Sequence, residues 1–83
     1  MRNSKKVKSE FYDNLTTKEL EVVAKQGDVE AQFKLGYRYR YGEKAKKNSA
    51  KAIEWYKKAA VQGNKKAKLA LSKALQEKGA LFR

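Results

Sequence analysis

The chain has no cysteine and no histidine. Without thiols it can form neither a disulfide nor a thiolate metal site, and without imidazoles it lacks the base of Ser-His and Cys-His nucleophile systems. The carboxylates do not replace them, because Glu19 and Glu21 lie two residues apart and project from different faces of a helix. Phosphate-binding motifs of the type GxxxxGK or GxGxxG are also absent. We therefore predict a protein that is not an enzyme, with no catalytic residue, metal site or cofactor.

Long apolar runs are missing as well. No stretch approaches the roughly 18 apolar residues of a membrane span, and the basic N-terminus lacks the apolar core of a secretory signal. We expect no membrane partner and predict a soluble, cytoplasmic protein, unless a signal segment has been removed. The lack of cysteine does not bear on the compartment.

Acidic residues are scarce relative to basic ones. Lysine and arginine number 21 against 9 aspartate and glutamate, which gives a net charge of +12 at pH 7. Such a surplus favours an acidic partner, which is nucleic acid, an anionic membrane or an acidic protein surface. The excess grows towards the C-terminus, where residues 64–79 hold five lysines and one glutamate. No discrete basic arm stands out, and residues 1–15 are predicted to be a flexible basic segment.

Proline is absent too, while alanine, lysine, leucine and glutamate are plentiful, which predicts an all-α fold. Thr16 followed by Glu19 forms a capping box, the strongest helix-start signal in the chain. Further N-caps are Asp28, Asn48 or Ser49, and Asn64. Four glycines follow periodic segments and are predicted to end helices: Gly27, Gly42, Gly63 and Gly79. Together these signals predict helices at residues 17–26, 29–41, 49–62 and 65–78.

The sequence also repeats itself at an offset of 36 residues. The stretch Ala24-Lys25-Gln26-Gly27 recurs as Ala60-Val61-Gln62-Gly63, Ala31 recurs as Ala67, and Leu35 recurs as Leu71. A fixed offset of this size indicates helical hairpins that stack on one another, because one hairpin cannot bury its own apolar face.

The residues of the central repeat carry a family resemblance. The pattern AQxxLGxxYxxG begins at Ala31, and KAxxWYxKAAxQG begins at Lys51. The two patterns resemble the Sel-one-like repeat, a short relative of the tetratricopeptide repeat. The resemblance implies one whole repeat at residues 28–63, and it implies that Trp55 and Gly36 are packing residues. Ser72 and Leu75 depart from the pattern, which predicts that the last helix is a cap.

The expected architecture is a short α/α solenoid of about two hairpins and four helices. The predicted domain covers residues 16–79, followed by a tail at 80–83. Solenoids usually need about three or more repeats for stability. We therefore expect help from a bound partner or from self-association, with Leu81 and Phe82 as further candidates to cover the open end of the stack.

By resemblance, the first helix of each hairpin lines a concave groove. Removing the packing positions leaves a helix stripe of Glu30, Phe33, Tyr37 and Arg40, and the residues 36 positions later are Lys66, Leu69, Lys73 and Gln76. Of these we predict five partner-binding residues: Phe33, Tyr37, Arg40, Lys66 and Lys73. A solvated face with incidental aromatic side chains explains the stripe equally well.

Two functions remain open at this point. The first is a protein–protein interaction module that binds an acidic protein, as an adaptor or as an inhibitor or immunity-type protein; members of the family typically act as adaptors in bacterial and eukaryotic complexes. The second is a nucleic-acid-binding protein that uses its distributed lysines on phosphates. The sequence favours the first. A strand at residues 36–42 would place Tyr37, Tyr39 and Tyr41 on one face, where they could stack on nucleic-acid bases. On a helix, Tyr37 and Tyr41 share one side while Tyr39 faces the other, so this stacking surface does not form.

Overall fold

A computed structural model describes residues 10–78. Four helices follow one another: α1 (Thr17–Lys25), α2 (Val29–Tyr41), α3 (Ser49–Val61) and α4 (Lys65–Lys78). Residues 10–13 form a short helical stretch before α1, and no strand occurs within residues 10–78. The all-α, four-helix prediction is confirmed, and each helix begins and ends within one residue of its predicted position. The helix stop predicted at Gly79 and the tail at 80–83 lie outside the described residues.

The helix starts use the predicted caps. Thr16 Oγ1 accepts the backbone N–H of Glu19 at 3.1 Å, and Glu19 Oε1 accepts the backbone N–H of Thr16 at 2.9 Å, so the capping box is complete. Asp28, Asn48 and Asn64 each accept the N–H three residues on, at 2.9, 3.0 and 2.7 Å. Such caps stabilise a helix by roughly 1 kcal/mol each. Local sequence is therefore sufficient to fix where these helices begin.

The helices pack in chain order, with α2 against α1 and α3, and α3 against α4. One buried cluster joins α1, α2 and α3 and includes Leu20, Ala24, Leu35 and Trp55. A second joins α3 to α4 and consists of small residues around Tyr56, and Tyr39 packs against both clusters. The prediction that Trp55 belongs to the core is confirmed.

Gly36 is the point of closest approach between α2 and α3. A Cβ atom on this residue would lie 2.7 Å from Cδ1 of Tyr56 and 2.8 Å from Cε1. Tyr56 is fully buried, so its ring has no free space into which to move. The close-packing role predicted for Gly36 is confirmed.

A short chain of side-chain amides joins successive hairpins. Gln62 Nε2 donates to Gln32 Oε1 at 3.0 Å and to the carbonyl of Gly27 at 3.0 Å. Gln32 Nε2 donates in turn to the carbonyl of Ala24 at 3.0 Å. The amides therefore supply further donors to backbone carbonyls at the end of α1.

The packed region begins before residue 16, the boundary predicted from the sequence. Tyr12 is buried, and its hydroxyl donates to Asp28 Oδ2 at 2.8 Å. Arg38 is also buried and donates to the carbonyl of Tyr12 at 3.2 Å and to Thr17 Oγ1 at 3.1 Å. These contacts hold residues 10–15 against α1 and α2. A flexible segment was predicted at residues 1–15, and the first nine of these residues lie outside the described range.

Candidate functional site

A groove of about 550 Å³ runs along α2. Its walls come from the N-terminal stretch, α2, the α2–α3 loop and the start of α4. The lining residues are Asp13, Phe33, Lys34, Tyr37, Arg38, Glu43, Lys44 and Lys66. Three of the five residues predicted to bind a partner, Phe33, Tyr37 and Lys66, are therefore brought together.

The groove contains two aromatic residues, of which Phe33 packs on the core and Tyr37 is exposed to solvent. Phe33 is half-buried, and its ring centroid lies 5.8 Å from that of Tyr56 in the core. Tyr37 is 43% exposed and packs against exposed Tyr41, with 4.7 Å between ring centroids and the rings tilted by 52°. Both tyrosines lie on one side of α2, as their spacing of four residues predicts. The groove thus offers aromatic surface that is held in place by neighbouring rings.

Arg40 does not face this groove. Its side chain is buried, with the residue 8% exposed, and Nη2 donates to Glu77 Oε2 at 2.7 Å. The hydrogen bond from Arg40 holds the pKa of the Glu77 carboxyl below its usual value. The guanidinium also lies 5.1 Å from the centroid of the Tyr41 ring. Arg40 therefore joins the end of α2 to the end of α4, a role that helix periodicity alone did not predict.

The two lysines predicted on α4 have different positions. Lys66 is exposed and lines the groove, whereas Lys73 is exposed but lies outside the lining. The spacing of seven residues places Lys73 on the same side of α4, two turns further along. Of the two predicted lysines, only Lys66 therefore lines the groove.

One wall of the groove is formed by contacts between residues that lie far apart in the sequence. Lys34 Nζ lies 3.2 Å from Asp13 Oδ1, and the Lys44 ammonium donates to the Asp13 carbonyl. Lys44 has a φ of 62°, and its own carbonyl accepts the hydroxyl of Thr17 at 2.6 Å. Sequence reasoning missed Asp13 and Lys44, because one lies in a segment predicted to be flexible and the other in a loop without periodicity.

The groups that line the groove are suited to non-covalent binding. Within residues 10–78, no group of three Asp or Glu side chains is arranged to hold a metal ion. Every helix in that range is too short or too polar to span a membrane. The lining combines aromatic rings with ammonium, guanidinium and two carboxylate groups. Such a surface can hold an apolar side chain of a partner and pair with carboxylates beside it.

Comparisons with known proteins agree with this architecture. The family model described as Sel1 repeat matches residues 29–64. A curated protein of similar sequence is the putative sel1-like repeat-containing protein L18 of Acanthamoeba polyphaga mimivirus, which is 48% identical over 46 residues. The matched stretch is 55% of this chain and spans 8% of the viral protein's length. No solved structure matches.

Proposed function

Because the chain carries a repeat of the Sel1-like family at residues 29–64, we propose that it binds an acidic segment of a partner protein in the groove along α2. Sel1 repeats generally mediate protein–protein interactions and are generally non-enzymatic. The observation that supports this groove most directly is that exposed Tyr37 and exposed Lys66, from two different hairpins, line it together.

Tyr37 supplies the anchor of the proposed contact. Aromatic side chains that are rigid before binding lose little conformational entropy and are common among the residues that dominate binding energy. The ring of Tyr37 packs against Tyr41 at a tilt of 52°, which limits its freedom before binding, and it shares the groove with Phe33. An apolar side chain of the partner would lie between the Tyr37 and Phe33 rings.

The lysines supply selection for acidic partners. The net charge of +12 speeds the encounter with a negatively charged protein, and Lys66 pairs with a carboxylate next to the apolar anchor. Occupation of the groove either scaffolds the partner or occludes its surface. These are the actions of an adaptor and of an inhibitor or immunity-type protein, respectively.

Nucleic acid is a second candidate, favoured by one observation. Between residues 44 and 78 the sequence holds eleven lysines and only two acidic residues, Glu54 and Glu77. Lysines at this density neutralise phosphates without any requirement for Tyr37, and such binding weakens steeply with salt.

A nuclease-treated pull-down separates the two candidates. The bait is the full chain, compared with Tyr37→Ala and with the control Val61→Ala, which alters a residue 86% exposed on α3 and outside the groove. The proposal expects a protein that the unmodified chain and Val61→Ala retain and Tyr37→Ala loses. Capture that is seen without nuclease and disappears with it, or equal capture of the same proteins by all three baits, contradicts the proposal.

A further inference from the structure

The offset of 36 residues pairs each residue of α2 with one of α4, and several residues of α4 are more exposed than their counterparts on α2. Gln32 and Gly36 are buried, and Phe33 and Tyr39 are half-buried. Their counterparts on α4 are all exposed: Lys68, Leu69, Ser72 and Leu75. We call these four residues the α4 outer face. Leu69 is 64% exposed and Leu75 36%, so the face includes two leucines in contact with water.

The α2 residues are covered because α3 lies on them. Tyr56 of α3 contacts Phe33 and Gly36, and Lys51 of α3 lies 5.2 Å from the centroid of the Tyr39 ring. Gln62, just beyond α3, donates to Gln32. Within residues 10–78, no helix occupies the equivalent position on α4. The α4 outer face therefore corresponds to the surface of α2 that α3 covers, but no described helix covers it.

Charge identifies the kind of helix that fits. The α4 outer face includes Lys68, and exposed Lys65 and Lys73 lie four residues before and four residues after Leu69 on the same side of the helix. The acidic residue of α4, Glu77, is paired with Arg40. Symmetric packing of α4 against α4 of a second copy would bring two lysine-rich surfaces together, and like charges in an interface are strongly unfavourable. A helix with carboxylates beside its apolar stripe is complementary to this surface.

Ser72 sets a further condition on the bound helix. At the equivalent Gly36, a Cβ would lie 2.7 Å from the Tyr56 ring. Because Ser72 carries a Cβ, a helix placed on α4 as α3 is placed on α2 cannot present a large aromatic residue there. The residue opposite Ser72 must be small.

From these observations we propose that the α4 outer face binds an acidic amphipathic helix of another protein, in the position that α3 takes on α2. The helix packs apolar side chains on Leu69 and Leu75 and places a small residue opposite Ser72. The surface is separate from the groove, and neither Leu69 nor Leu75 lines the groove. The two proposals share the acidic partner but depend on different residues, so either can fail alone.

A designed peptide tests this proposal with the full chain. The probe has the sequence of residues 48–63 with Tyr56→Ala and with Lys51, Lys57 and Lys58 replaced by Glu, and the matched control peptide has Tyr56→Ala alone. Binding of labelled peptides is measured by fluorescence anisotropy. The acidic probe should bind more tightly than the control. Leu69→Ser, or Leu75→Ser as an independent variant, should weaken it about tenfold, since each removes a buried leucine contact.

The control variant is Val61→Ser on the exposed end of α3, which should not change the binding of the probe, and Tyr37→Ala reports how much of the probe binds in the groove instead. Equal affinity for both peptides, or loss of binding in Tyr37→Ala instead of Leu69→Ser, overturns the proposal. The melting temperature and mass of the free chain complete the test. If Leu69→Ser lowers the melting temperature as a core substitution does, the face is already covered by the chain itself. If it converts a dimer to a monomer, the face is covered by a second copy, and the proposal fails in both cases.

Discussion

Gly36 and Tyr56 meet at a distance that leaves no space for a side chain on Gly36, since a Cβ there would lie 2.7 Å from the tyrosine ring. The ring lies between α2 and α4, because Tyr56 belongs to the cluster that also contains Ala67 and Ala74. A change at Gly36 therefore affects the packing of both hairpins.

We predict that Gly36→Ala destabilises the fold by about 1–3 kcal/mol, the usual cost of overpacking a close-packed core. The sign of the change in the free energy of unfolding tests the contact, because alanine at an open helix position is about 1 kcal/mol more stabilising than glycine. Urea unfolding followed by circular dichroism measures the effect. Ser72→Ala, at the equivalent exposed position of α4, is the control and should leave stability nearly unchanged. A more stable Gly36→Ala variant would show that α2 and α3 do not approach this closely.

The ion pair of Arg40 and Glu77 predicts a dependence of stability on acid. The pKa of Glu77 is lowered in the folded state by the hydrogen bond from Arg40. Its contribution is therefore complete above the ordinary carboxyl pKa of 4.5 and is lost as the pH falls through the lower, folded value. Glu77→Gln should be less stable than the unmodified chain at pH 7, and the difference should shrink in acid. Glu54→Gln, on α3, is the matched control, and a difference independent of pH would contradict the pairing.

The phenol of Tyr12 predicts a dependence at the opposite end of the pH range. Burial and the hydrogen bond to Asp28 raise its pKa from 10.0 to about 12. The contribution of the neutral phenol is complete below pH 10 and is lost as the pH rises from 10 to 12. Tyr12→Phe should remove this part of the alkaline loss and lower stability at pH 7 by roughly 0.5–1.5 kcal/mol. Tyr37→Phe, at an exposed ring, is the control. An unchanged alkaline profile in Tyr12→Phe would show that its hydroxyl is not bonded to Asp28.

The fold could be predicted from sequence because its signals are local. The capping box at Thr16 and Glu19 and the glycines after α1, α2 and α3 depend on residues within a few positions of one another. The contacts of Arg38 with Tyr12 and Thr17 span more than twenty residues. No periodic pattern reports such contacts, so the start of the packed region was predicted too late in the chain.

The groove was predictable only in part for a related reason. Helix periodicity places Phe33, Tyr37 and Arg40 on one stripe, but it does not say where the neighbouring helices lie. In the structure, Tyr56 of α3 contacts Phe33, and Glu77 of α4 pairs with Arg40. Tyr37 is the one of these three stripe residues that remains exposed. The positions of neighbouring helices follow from the packing of the whole stack and are not encoded in the stripe itself.

In the proposed function, the groove binds an acidic protein through Tyr37, and the lysines speed the association of the two proteins. The most direct test is the affinity of the captured partner for the unmodified chain, Tyr37→Ala, Lys66→Gln and Val61→Ala, measured by surface plasmon resonance at low and high salt. We predict that Tyr37→Ala raises the Kd more than tenfold through faster dissociation. We predict that Lys66→Gln slows association mainly at low salt, and that Val61→Ala behaves as the unmodified chain. Equal affinities for Tyr37→Ala and Val61→Ala would contradict the claim.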